Sequence, residues 1–330
     1  MAKKNVYGRW RIGGSLGEGG QAYVYFVEDT RGEFSGRYAL KRLRNMERLD
    51  RFKREVEVTI GLRHPNILRV VDFDIAGARP YYVAELCEKR SLADVGAQQF
   101  KGNITLTLDV LLPIVDALAA GAGARPPVVH RDLKPENILF RADLTPVLAD
   151  FGICHVADGK CITLSDRGMG STNYIAPEMQ AGQHDRVTHA VDVYALGKVM
   201  YWMLSGGDIF AREGHRAAGN YLVERLEEQR WAHVHGLFDS MIVEEYARRH
   251  NLALLPTLLK EVKYMVNGNF VPLRPSMGLK CRWCGKGTYQ RHEPMKQTGY
   301  IEVRVLRCGY CGRMEYFDPK GVENADWFEQ

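Results

Sequence analysis

The sequence predicts an α+β chain in three parts: a β-rich lobe, a helical lobe and a small cysteine-pinned ribbon. Three observations predict it. Short β-rich runs around glycines fill residues 1–87. Apolar helical stripes fill 88–278. Two C-x-x-C pairs bracket a strand pattern in 279–317, ahead of an acidic tail over 318–330.

In the first lobe, "RWRIGGSLGEGGQAYVYFVE", 9–28, sets two β-rich runs around a glycine cluster, the pattern of a hairpin. "GRYALKRL", 36–43, and "RPYYVAEL", 79–86, predict further strands. Between them "DRFKREVEVTIGLRH", 50–64, places Phe52, Val56, Ile60 and Leu62 at helical spacing. Beyond Cys87 the character changes. "TLTLDVLLPIVDALAAGA", 105–122, puts Leu108, Leu111, Leu112, Val115, Leu118 and Ala119 on one helical stripe. "AVDVYALGKVMYWML", 190–204, is apolar nearly all round and predicts a buried helix.

Composition narrows the class. The chain has 330 residues, 45% hydrophobic and 26% charged, enough to bury a sizeable core. No run approaches the roughly 18 apolar residues of a membrane span, so no membrane partner is expected. "MAKKNVYGRWRIGG" carries basic residues with no apolar stretch behind them, unlike a secretory signal. The expected compartment is the cytoplasm, where seven cysteines point to metal or free thiols rather than disulfides.

The chemistry concentrates in "VVHRDLKPENILF", 128–140, and "ADFGIC", 149–154. Pro135 forces the first into a loop carrying Asp132 and Asn137. The second supplies Asp150. Upstream lie Lys41, at the end of a strand, and the glycine loop "LGEGGQAYV", 16–24. Phosphoryl transfer needs these parts: backbone N–H groups over phosphates, a lysine to neutralise charge, oxygens for Mg²⁺, and a carboxylate to orient the attacking hydroxyl.

These motifs resemble a eukaryotic-type (Hanks-type) Ser/Thr protein kinase of the bacterial kind, in order and spacing from about Arg9 to Tyr201 and more loosely to Met277. The resemblance implies the two-lobed kinase fold, ATP and Mg²⁺ as cofactors, and protein substrates. It implies that Lys41 contacts the α/β-phosphates and pairs with Glu55. Asp132 becomes the catalytic base, Lys134 contacts the transferred phosphate, and Asn137 and Asp150 hold Mg²⁺. The nucleotide site takes in Leu16, Gly17, Glu18, Gly19, Gly20, Gln21, Ala22, Tyr23, Val24, Ala39 and Leu139. Glu85 and Cys87 form the hinge that hydrogen-bonds adenine. Ala84, just before that hinge, is smaller than the family's usual residue, which predicts an open pocket behind adenine. Ala22 stands where the loop's third glycine is usual.

The resemblance extends to regulation and support. "YIAPE", 174–178, closes the activation segment, and Ser171 stands where a threonine commonly lines the acceptor site. Arg131 precedes the base, as in kinases switched on by phosphorylation of their own loop. Thr163 and Ser165, eight and six residues before Ser171, are the expected phosphorylation sites. Asp192 anchors the buried helix that supports the catalytic loop. Arg274 of "LRPSM" is expected to pair with Glu178. That placement leaves almost no room for the family's last helix before Cys281. The alternative reading is a pseudokinase or kinase scaffold whose ribbon binds nucleic acid or a partner protein.

"CRWCG" and "CGYCG" are paired turns, and "YIEVRVLR", 300–307, between them reads as a strand. This resembles a zinc ribbon. Cys281, Cys284, Cys308 and Cys311 offer four thiolates, which favour tetrahedral Zn²⁺, with iron or metal-free dithiols as alternatives. Cys87, Cys154 and Cys161 read as free thiols. Residues 279–317 carry eight Lys/Arg against three Glu within a chain of net charge +5, so an acidic partner, nucleic acid included, is compatible. A ribbon this small has too little core to stand without metal. Docked on the helical lobe it would cover the surface left by a missing last helix; tethered, it would recruit partners.

Overall fold

The structure, a computed structural model, describes residues 6–18, 22–151, 169–180 and 187–267, and four strands within 289–317. The first lobe is an antiparallel sheet of β1 (Val6–Tyr7), β2 (Trp10–Glu18), β3 (Ala22–Asp29), β4 (Tyr38–Leu43), β5 (Val70–Asp74) and β6 (Tyr81–Glu85), in the order β1-β2-β3-β4-β6-β5. The period of two splits the sheet's side chains between two cores. Tyr7, Trp10, Val27, Leu40, Tyr81 and Val83 fill one face. Leu43, Leu68, Tyr82 and Ala84 fill the other, with Phe52 and Val56 of α1 (Leu49–Gly61). Ile60, expected on the buried stripe of α1, is exposed, and Thr59 takes the inward place.

The expected hairpin has a steric requirement at Gly13. The Phe26 ring from β3 lies where a side chain at Gly13 would stand, with an added Cβ only 1.9 Å from Phe26 Cε2. Glycine there lets the aromatic ring cover the strand.

The second lobe is built around α3 (Ile104–Gly123) and α5 (Ala190–Ser205). Smaller helices surround them: α2 (Leu92–Val95), α4 (Pro177–Gln180), α6 (Leu222–Arg225), α7 (Ala232–Met241) and α8 (Leu255–Val266). Asn103 caps α3 by accepting the Leu106 N–H at 3.0 Å. By length and composition α3 qualifies as a membrane span, contrary to the expectation that no run comes near one. Its apolar character has another account: Leu108, Leu111, Ile114, Val115 and Ala117 are fully buried in the lobe's core. Ala119, expected on this stripe, is exposed. The hairpin of β7 (Ile138–Phe140) and β8 (Pro146–Leu148) lies on the same core.

The expected absence of a last helix is overturned. α8 is that helix, and Leu255, Leu258, Leu259, Val262 and Val266 line its buried face. It ends well before Cys281, so the surface that a docked ribbon was expected to cover is already covered. Separately, β9 (Tyr289–Arg291), β10 (Lys296–Thr298), β11 (Ile301–Cys308) and β12 (Met314–Phe317) form a small antiparallel sheet, with β11 pairing all three others.

Lys198 and His235 are among the buried basic groups of the helical lobe. Lys198 on α5 is fully buried and donates to the Phe210 carbonyl at 2.6 Å, with its ammonium 3.7 Å from the Phe210 ring centroid. Burial lowers its pKa to about 7. His235 on α7 accepts the Leu222 N–H at Nε2 (2.8 Å). Its proton therefore sits on Nδ1, which faces His215 Nδ1 at 2.9 Å.

This pair predicts acid sensitivity. Burial, with His215 and Arg216 adding, lowers the His235 pKa from 6.5 to about 3. The unfolded chain takes up that proton below pH 6.5, whereas the folded chain resists it down to about 3. Stability is therefore whole above pH 6.5 and falls as pH drops through this window. By pH 4.5 the loss from this group is about 3 kcal/mol, at roughly 1.4 kcal/mol per unit. Urea unfolding at pH 7 and pH 4.5 reads it, and His235→Gln should show a smaller difference between the two pH values. An equal difference in both proteins contradicts this account.

Candidate active site

β4 brings Lys41 to the face of the sheet that α1 covers. Lys41 lies across from Val24 on β3 and Tyr82 on β6. Its ammonium bonds Glu55 Oε1 of α1 at 2.8 Å and Asp150 Oδ1, just after β8, at 2.5 Å. Burial opposes the lysine charge, but Asp150 and Glu55 together hold its pKa well above the ordinary value. Burial raises the Glu55 carboxyl, Lys41 only partly offsetting it. Burial would raise Asp150 too, but Lys41 outweighs it and holds that carboxyl lower. Lys41 and Asp150 are thus a charged pair at neutral pH.

The loop holding Asp132 is fixed from beneath. Asp192, in the first turn of α5, accepts the N–H of His130 on one carboxylate oxygen (2.9 Å) and that of Arg131 on the other (2.8 Å). Arg131 and Asp150 both have positive φ, 67° and 57°. A side chain in this region costs energy and persists only where its surroundings enforce it. For Arg131, the bond to Asp192 supplies that enforcement. For Asp150, His130 does so through its neighbours: its Nε2 lies 3.0 Å from the Ala149 carbonyl and its ring 4.8 Å from the Phe151 ring.

Asp132 is oriented by two neighbours. Lys134 Nζ lies 3.0 Å from Asp132 Oδ2. The Asn137 side-chain N–H₂ donates to Asp132 Oδ2 (3.1 Å) and to the Asp132 carbonyl (2.7 Å). With its nitrogen engaged, the Asn137 amide presents its oxygen as an acceptor. That oxygen and the Asp150 carboxylate are hard donors, the chemistry that suits Mg²⁺. Among the described residues no cluster of three or more His, Cys, Asp or Glu suggests another metal site.

Leu16, Gly17 and Glu18 end β2, and Ala22, Tyr23 and Val24 begin β3. Gly19, Gly20 and Gln21 lie outside the described residues. Ala39 is the cross-strand partner of Ala84, and Leu139 of β7 packs against the cluster that holds Ala84. The Glu85 side chain is occupied: Arg141 binds it with two bonds, at 2.7 and 2.9 Å, and the Arg69 N–H adds a third at 2.9 Å. Burial alone would raise this carboxyl, but those donors outweigh it and lower its pKa. Arg141 thereby ties the expected hinge to the helical lobe. Burial pushes the Cys87 thiol up to about 12, so it stays neutral. Among the described residues no open pocket lies against Ala84, contrary to expectation. Ala84 is 1% exposed, closed within the cluster that includes Phe52, Leu68 and Tyr82.

Glu178 is buried on α4, and its partner is Arg249 rather than the expected Arg274. Arg249 Nη1 and Nη2 bind the two Glu178 oxygens at 2.6 and 2.9 Å. Arg274 lies outside the described residues, as do Thr163 and Ser165. Ser171 falls in a 3₁₀ turn over Met169–Tyr174. Cys308 ends β11 in register with Tyr289, while Cys281, Cys284 and Cys311 lie outside the described residues. Sequence reasoning missed Arg249 although a signal existed: "LLPTLLKEVKYMV", 254–266, has the amphipathic spacing of a last helix. The arginine expected before that helix therefore had to precede residue 254.

Comparison with known proteins agrees with this geometry. The family model described as the protein kinase domain matches residues 10–261. PknA of Mycobacterium tuberculosis, named a serine/threonine-protein kinase, is 34% identical over 63% of this chain and 49% of its own length. PrkC of Bacillus subtilis, named likewise, is 32% identical over 62% of this chain and 31% of its own. A probable serine/threonine-protein kinase of Clostridium perfringens is 31% identical over 62% and 30%. The chain thus spans about a third to a half of the length of these relatives. The crystal structure of the Mycobacterium tuberculosis PknI kinase domain shares the fold, with a TM-score of 0.59 at 23% identity, over 79% of this chain and 99% of that one. With three quarters of its length matched by that model, the chain belongs to the protein kinase domain family.

Proposed function

We propose that the chain is a Mg-ATP-dependent serine/threonine protein kinase. One observation carries the reading: Lys41 is bound at once to Glu55 and Asp150, beside an Asp132 already oriented by Lys134 and Asn137. The relatives' printed names and the "HRDLKPEN" loop support the same class.

The chain's own residues take distinct roles. Lys41, held by Glu55, presents fixed positive charge to the α/β-phosphates. Asp132 orients a serine or threonine hydroxyl and takes its proton as the oxygen bonds the γ-phosphorus. The bond from that phosphorus to the β,γ-bridging oxygen breaks, and ADP leaves. Lys134 offsets charge on the transferred group. Asn137 and Asp150 would hold Mg²⁺, which when bound neutralises phosphate charge. The N–H bonds to Asp192 keep the loop in place throughout. Val24, Ala39 and Leu139 offer apolar surface to adenine.

Arg131 is suited to pair with a phosphate on Thr163 or Ser165, ordering the activation segment. The function is tested by mapping phosphate on protein made alone in a heterologous host. Phosphoserine or phosphothreonine within 158–172, lost in a Lys41→Met variant, is the expected result. Phosphate found only outside that window contradicts the loop assignment, and none at all contradicts the kinase.

The cysteines complete the proposal. Cys281, Cys284, Cys308 and Cys311 bind one structural zinc, and the sheet of β9–β12 supports the reading as a ribbon. Structural zinc supplies on the order of 10 kcal/mol or more of folding free energy to such units. Elemental analysis should give about one zinc per chain, and Cys308→Ser should lose most of it. Content well below one, with no iron in its place, contradicts the assignment.

A further inference from the structure

Tyr82 has no place in the mechanism above, yet it touches two of its parts. It is 5% exposed, and its hydroxyl lies 3.1 Å from Glu55 Oε1 and 3.5 Å from Asp150 Oδ1. Its ring stacks on Phe52, with centroids 5.6 Å apart and planes at 26°. Phe52 and Glu55 are three residues apart on α1 and so share one helix face. Tyr82 therefore grips α1 at two points, by ring and by hydroxyl. It is also the direct cross-strand neighbour of Lys41, whose ammonium lies 5.7 Å from its ring centroid.

Glu55 Oε1 is consequently a shared acceptor. Lys41 Nζ and the Tyr82 hydroxyl converge on it. Among the protein groups Tyr82 touches here, only carboxylates can accept, so the phenol is the donor. If α1 swings away from the sheet, Lys41 loses Glu55 and a buried hydroxyl loses its nearer acceptor at the same time, and the second loss opposes the movement.

We infer that Tyr82 is a positioning residue of the nucleotide site, donating to Glu55 and thereby fixing Lys41 where the phosphates bind. The small Ala84 belongs to the same arrangement. Tyr82 and Ala84 alternate onto one face of β6 and lie in one buried cluster with Phe52 and Leu68.

This inference rests on the proposed role of Lys41, and the test separates the two. Binding of the β,γ-imido analogue of ATP with Mg²⁺, and of adenosine alone, is measured by calorimetry on the full chain. The variants are Lys41→Met, Glu55→Gln, Tyr82→Phe and the double variant of the last two. Tyr82→Phe keeps the ring on Phe52 and removes only the hydroxyl. It should weaken the imido analogue about tenfold and change adenosine less than twofold, because adenosine has no phosphate for Lys41 to meet. In the Glu55→Gln background the same change should have little further effect.

If Lys41→Met leaves the imido analogue's affinity unaltered, the role of Lys41 fails and the inference with it. If Lys41→Met weakens binding but Tyr82→Phe does not, the inference alone fails. Equal weakening of adenosine and the imido analogue by Tyr82→Phe also overturns it, since the hydroxyl would then be supporting the fold rather than the phosphate end.

Discussion

Asp132→Asn should reduce phosphate transfer to a serine or threonine peptide by about 10² to 10⁴-fold, the range for removing a positioned general base. The change keeps the side chain's shape and removes its charge and proton-accepting oxygen. Lys134 and the Asn137 side chain both donate to Asp132 Oδ2, so the replacement amide must turn its oxygen toward them. Nucleotide affinity should stay within about threefold, roughly 0.7 kcal/mol, because Lys41, Glu55 and Asp150 are untouched. Steady-state rates beside calorimetric binding separate the two effects. Equal loss of both would mean that Asp132 holds the loop together rather than accepting a proton.

The largest effect on stability should come from Arg249→Met. Arg249 and Glu178 are buried, with side-chain exposures of 0% and 4%. The guanidinium also donates to the carbonyls of Val243, Glu244 and Ala190, and lies 4.9 Å from the Tyr194 ring centroid. It therefore joins α4 to the start of α5 and to the turn before α8. Removing it strands Glu178 as an unpaired buried carboxylate, a loss of about 3–5 kcal/mol. Against the 5–15 kcal/mol total typical of a domain, that is a large share. Denaturant unfolding reads the loss. Adding Glu178→Leu to Arg249→Met should recover much of it, since the stranded charge is gone. Arg274→Met, by contrast, should leave stability within about 0.5 kcal/mol, because Arg249 already engages both Glu178 oxygens. The reverse ranking of the two arginines would reinstate the pairing expected from sequence.

Why Arg274 was preferred shows where sequence reasoning runs out. Lys41, Asp132, Asn137 and Asp150 sit in short motifs, where local order defines the residues and the fold brings them together. The runs that became β2, β3, β4, β6, α1, α3 and α5 were legible from their patterns, whereas the short β5, β7 and β8 beside the site carry too few residues to show a period. Glu178 and its partner are 71 positions apart, and no local pattern joins them. The residues 206–250 that carry Arg249 contain short helices, 3₁₀ turns and buried histidines, with little periodicity to read. Tyr82 illustrates a different limit. As sequence it is one aromatic in a strand. Only the register that sets it across from Lys41, together with the placement of α1, gives its hydroxyl a meaning. The pocket expected behind Ala84 failed for the same reason: the size of one residue says nothing about how closely its neighbours pack around it, and Ala84 is buried.

Phosphate transfer by the full chain is the reaction that the arrangement of Lys41, Asp132 and Asp150 predicts most directly. Incubation with γ-labelled ATP, Mg²⁺ and a basic protein substrate, followed by phosphoamino-acid analysis, measures it directly. Label on phosphoserine or phosphothreonine, abolished by EDTA and by Lys41→Met, is the predicted result. Absence of transfer from protein that binds Mg-ATP, or label persisting undiminished in Lys41→Met, would contradict it.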